Sequence, residues 1–85
     1  MEHKIGRVTH YYNRLGVAVL ELNDELKVGD TIHILGHTTN FSQPVQSLEI
    51  EHKKVEGVKP GAEVALKVND KVRAGDTLYK ISEPH

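Results

Sequence analysis

The chain has 85 residues, no cysteine and a formal net charge of -1. That length suits one domain close to the lower limit of a self-sufficient core, and the missing cysteine excludes a disulfide frame or a thiolate zinc site. Near-neutral charge argues against a strong non-specific nucleic-acid binder, whose affinity comes mainly from net positive charge. With one Phe, three Tyr and no Trp, the core has to be built from Val, Ile and Leu, which favours strands over a helical bundle. A single domain over residues 1–85 is expected, with its core at about 5–81. The opening MEHKIGR lacks a signal peptide's apolar run and no stretch is long enough to span a bilayer, so a cytoplasmic location without membrane contact is expected.

In chain order, Lys4 to Tyr12 reads as a first strand, β-branched and aromatic without a helix cap. Asn13-Arg14 is turn chemistry, and Leu15 to Leu22 is a nearly continuous apolar run suited to a strand buried on both faces. Thr31 to Leu35 predicts a third strand with Ile32 and Ile34 inward. Gly36 to Ser42 reads as the longest polar loop, with Phe41 stranded in it. Val45 to His52 predicts a fourth strand, Glu63 to Val68 a fifth with Val64, Leu66 and Val68 inward, and Thr77 to Ile81 a sixth. Val17, Val19, Ile32, Ile34, Val64, Leu66 and Val68 are expected to form much of the core.

Three phrases recur between these runs: Leu26-Lys27-Val28-Gly29-Asp30, Val58-Lys59-Pro60-Gly61-Ala62 and Val72-Arg73-Ala74-Gly75-Asp76. Each places a base two residues before a Gly, and Gly supplies a positive φ at no steric cost. They are expected to be hairpin corners feeding the strands that follow. The fold expected from the pattern is all-β, a small six-stranded closed antiparallel barrel.

Candidate chemistry is sparse. His33 and His37 are too far apart on a strand to share one metal, roughly 13 Å at the usual rise. His10, His33 and His52 could meet across strands, but without Cys or an H-E-x-x-H pattern no metal site or cofactor is expected. Ser42 and Ser47 lack an elbow motif, and Glu49 and Glu51 alternate as a solvent face would, so no catalytic residue is assigned. Tyr11 and Tyr12 are adjacent, so alternation sends one ring outward. Tyr12, Arg14, His37, Phe41, His52, Lys53 and Lys54 could then form an aromatic and basic surface for RNA or a protein partner.

The order of Gly16-Val17-Ala18-Val19, the Leu26–Asp30 corner, Val45 to Val58, Lys59 to Leu66 and Arg73 to Leu78 resembles the second domain of translational GTPases such as elongation factor Tu and initiation factor two. Two other barrels look similar: the C-terminal barrel of collagenase-like peptidases, through VGD-x-I-x-I-x-G, Phe41-Ser42-Gln43 and the last GD-x-L, and the pseudouridylation accessory protein Gar one. The resemblance implies a fold of the translation-factor second-domain type, covering about residues 5 to 81. No G-x-x-x-x-G-K-[ST] phosphate loop is present, so nucleotide binding is not expected. The resemblance further implies a non-catalytic translation- or RNA-associated module contacting tRNA, rRNA or a ribonucleoprotein. The alternative is an adaptor that docks on a separately encoded enzyme.

Overall fold

The computed structural model describes residues 2–81; Met1 and residues 82–85, the two ends of the expected domain, lie outside the described residues. Among the described residues all regular structure is β. Ten strands follow in order: β1 (Glu2–Tyr12), β2 (Val17–Leu22), β3 (Leu26–Lys27), β4 (Thr31–Leu35), β5 (Asn40–Pro44), β6 (Leu48–Ile50), β7 (Lys53–Val55), β8 (Gly57–Val58), β9 (Glu63–Lys67) and β10 (Thr77–Ile81). Since no helix is present there, none is long and apolar enough to cross a membrane.

Eight strands form one sheet in the order β5-β4-β10-β1-β2-β9-β6-β7, and β3 pairs with β8 in a separate ribbon. All pairings are antiparallel. The expected closed six-stranded ladder is therefore replaced by an open eight-stranded sheet with β5 and β7 at its edges. Proline explains one edge: Pro44, at the end of β5, has no N–H to donate to a further strand. Beside it, the buried side chain of Gln43 reaches across the gap. Its Nε2 donates to the Lys67 carbonyl at 2.9 Å, and its Oε1 accepts from the Asn69 N–H at 2.7 Å. One side-chain amide thus does locally what a backbone ladder does elsewhere.

Each of the three Gly phrases forms a tight turn, with Gly at its third position and φ of 100°, 88° and 98° at Gly29, Gly61 and Gly75. The residue after each Gly donates its N–H back to the carbonyl of the base, Asp30 to Lys27, Ala62 to Lys59 and Asp76 to Arg73. The Asp carboxylates close the first and last turns from the other side, accepting from the Lys27 and Arg73 N–H groups at 2.9 and 2.8 Å. These turns are not hairpins, which corrects the sequence expectation. β3 and β8 pair with each other, and each then feeds through its Gly turn into a strand of the main sheet. The N–H groups of Gly29, Gly61 and Gly75 dock onto the carbonyls of Val45, Leu22 and Val8, so each corner is also a tie between chain segments.

The core is aliphatic: Ile5, Leu20, Leu26, Ile32, Ile34, Leu48, Leu66 and Leu78 are its largest fully enclosed members, with Val8, Val45 and Val64 beside them. Five of the expected core positions, Ile32, Ile34, Val64, Leu66 and Val68, are buried. Val17 and Val19 are not. In β2 the inward set is Ala18, Leu20 and Leu22, and Val17 and Val19 stand half-buried on the outer face with exposed Glu21. The parity set by Glu21 decides this, because a strand's side chains alternate strictly between its faces. The long polar loop also shrinks. Gly36 and Thr39 exchange backbone hydrogen bonds across a two-residue turn at His37-Thr38, and Asn40 to Pro44 then pairs with β4. Phe41 stands opposite Ile34 and packs against the core.

Candidate functional site

Outward Val17 and Val19 make the outer face of the sheet apolar where an ordinary solvent face would be polar. The ladder register brings His10, Val19, Ala65, Glu49 and Lys54 into one row across β1, β2, β9, β6 and β7. A neighbouring row holds Tyr12, Val17 and Lys67, and another on the opposite side holds Arg7, Glu21 and Glu63. Tyr12, at the end of β1, is 48% exposed with its ring centroid 4.3 Å from that of His10, and Leu15, on the β1–β2 turn, is 67% exposed. Tyr12, Leu15, Val17, Val19 and Ala65 floor a groove of about 480 Å³ walled by Glu49, Glu51, His52 and Glu63. Isolated exposed apolar residues need no explanation, whereas a contiguous group does.

The wall at Glu51 and His52 is strained. These two residues form the β6–β7 turn with φ of 51° and 66°, and neither is Gly. Two-residue hairpin turns with both central φ positive favour Asn-Gly. Replacing Glu51-His52 by Asn-Gly is expected to raise stability by about 1–2 kcal/mol, read as a higher urea midpoint with an unchanged slope.

A second notable side chain is His33, on β4. Its Nδ1 bonds to the Glu2 carboxylate and its Nε2 faces Asn40 Oδ1 at 2.6 Å, so both ring nitrogens face acceptors. The Asn40 hydrogen bond first, then the bond and charge of Glu2, hold the imidazole above its ordinary pKa against the opposing effect of burial. The folded state therefore binds the proton more tightly than the unfolded chain. The resulting stabilisation is complete below about pH 6.5 and is lost as pH rises through the higher folded value. Melting temperature is expected to fall across that interval in the wild type, with the fall absent in His33→Gln.

The structure scatters the expected aromatic and basic surface. Tyr12 and His52 line the apolar groove. Phe41 lines a separate recess with Tyr11, Asn40, Lys71 and Arg73, while Lys54 borders a third beside Val28 and Val55. Arg14 and His37 lie exposed on the β1–β2 and β4–β5 turns, and Lys53 is exposed on edge strand β7. His10, His33 and His52 stand on β1, β4 and the β6–β7 turn; β10 separates the first two, and β2 and β9 come between His10 and β6. Among the described residues no group of three His, Asp or Glu is placed to hold a metal. Sequence reading missed Leu15, Val17, Val19, Glu63 and Ala65. The signal was the Glu21 parity, which puts Val17 and Val19 outside.

The chain is similar to known proteins over nearly its whole length. It is 46% identical over 81 residues to a protein named as an uncharacterized protease from Methanocaldococcus jannaschii, and 37% identical over 81 residues to a collagenase from Porphyromonas gingivalis. The collagenase-like resemblance holds. These matches cover 94% and 93% of the chain, which spans only 20% and 22% of the two relatives. A crystal structure of the C-terminal domain of a Geobacillus thermoleovorans protein named as a U32 peptidase superposes with a TM-score of 0.87 at 21% identity, covering 93% of this chain and 92% of that one. No family model matches.

These findings overturn the translation- or RNA-associated module read from the sequence, because the relatives carry protease and collagenase names. Gly turns and strand order describe a fold that unrelated functions share, so they carried the translation-factor resemblance without its function. In these relatives the matching segment is part of the same chain as the rest of the protein.

Proposed function

We propose that the chain is a non-catalytic accessory domain of a collagenase-like protease. The observation that carries this reading is the combination of 46% identity over 94% of the chain with a span of only a fifth of that protease-named relative. The shared part is one β unit, whose most organised polar group is not arranged for bond cleavage. Nδ1 of His33 meets a carboxylate, as in a catalytic triad, but Nε2 is committed to the Asn40 side-chain oxygen. A general base needs that nitrogen turned toward a nucleophile. Ser42 stands opposite His33 in the ladder, exposed on the edge strand.

Incubation of the purified chain with gelatin, casein and a fluorogenic peptide tests this. No hydrolysis above the buffer rate is expected. Cleavage that disappears in Ser42→Ala or His33→Ala would overturn the reading.

A further inference from the structure

We infer that the groove between the β1–β2 turn and the β6–β7 turn is a docking surface for a cationic, apolar polypeptide segment, one in which a Leu, Phe or Tyr side chain is flanked by Lys or Arg. The inference deepens the accessory-domain reading and rests on it for the polypeptide nature of the occupant. The floor supplies the apolar half of the recognition. Tyr12 and Leu15 stand up at one end, with Val17, Val19 and Ala65 flat between the walls. An apolar side chain laid there removes both its own surface and that of the floor from water.

Charge selects the flanks. Glu49, Glu51 and Glu63 line the groove, and His52 is the one lining residue able to carry positive charge. Among the described residues none of the three carboxylates lies within an ion pair; the pairs formed are His3–Asp24, Arg7–Glu21 and His33–Glu2. Cations do border the surface. Lys54 stands opposite Glu49 on β7, Lys67 opposite Val17 on β9, and Arg14 on the β1–β2 turn. They lie outside the lining, so a bound segment meets the carboxylates first. A second copy of this chain fits poorly, because two such grooves face to face would set carboxylates against carboxylates. Exposed charge pairs contribute little affinity but discriminate strongly against the wrong sign. The groove also accounts for the unusual Glu51-His52 turn, whose strain places both side chains on its wall.

The test is fluorescence anisotropy of three labelled synthetic peptides with the intact 85-residue chain: one alternating Leu or Phe with Lys, the same peptide with Glu for Lys, and a Lys-Ser peptide without apolar residues. The first is expected to bind in the micromolar range, and the other two at least about tenfold more weakly. Glu49→Gln/Glu63→Gln is expected to weaken the first by about tenfold, and Leu15→Ser to weaken it without shifting the melting temperature. Equal binding of the charge-swapped peptide overturns the inference, as does binding insensitive to both variants or no binding by the folded chain. Self-association abolished by Leu15→Ser overturns it as well. These outcomes are separate from the hydrolysis assay, which alone decides whether the domain is catalytic.

Discussion

Gly6→Ala is expected to destabilise the domain by roughly 3 kcal/mol, well beyond the loss expected at Gly29. Gly6 is buried in β1 between β10 and β2, opposite both Leu78 and Leu22, where the β1–β10 register shifts. A Cβ there would overlap the backbone carbonyl of Glu21 and lie 3.0 Å from the Cα of Leu22. Neither obstacle is a flexible side-chain end, so β2 itself would have to move, and β2 also carries Val17 and Val19 of the groove. For a domain of this size each kcal/mol lowers the melting temperature by about 4–8 °C. Gly29→Ala is the contrasting case. Nothing lies within 4 Å of its Cβ position, so only the penalty of its positive φ remains, about 1–2 kcal/mol. Thermal melts of the two variants check the order, and equal losses would refute the close approach of β1 and β2.

Gln43→Ala is expected to cost about 2–3 kcal/mol. The substitution strands two partners at once, the Lys67 carbonyl and the Asn69 N–H, and leaves a void under the edge of β5. Gln43→Glu separates the two contributions. Its carboxylate can still accept from Asn69 but sets a negative charge against the Lys67 carbonyl, so part of the loss should be recovered when acid protonates it. Denaturant titrations of both variants at pH 7 and pH 4 measure this. No recovery in acid would mean that the donor half of the bridge contributes nothing.

Much of the fold was legible in the sequence because the cues were local. Alternation placed Ile32, Ile34, Val64 and Leu66 inside, and the glycines of the three turns have the positive φ that their spacing suggested. Pairing was less legible, since a turn does not say which strands meet after it. Lys27 and Gly57 look like loop residues until β3 and β8 pair, and Asn40 to Pro44 looks like loop because its single apolar residue is Phe41. The groove was hidden for a different reason. Val17 and Val19 resemble core residues in isolation, and only the parity fixed by Glu21 and the register with Ala65 and Glu49 turns them outward. The residues expected to form one aromatic and basic surface were chosen by type alone, and the register distributes them over separate recesses.

The role proposed for the domain is to hold polypeptide in the groove at Tyr12 and Leu15. Its most direct test is amide chemical-shift mapping of the isotopically labelled chain during titration with the Leu-Lys peptide. Shifts concentrated at Leu15, Val17, Val19, Glu49, Glu51 and Ala65 are expected, with the Phe41–Lys71 recess unmoved. Shifts confined to Phe41, Lys71 and Arg73, or no shifts at all with the domain folded, would contradict it.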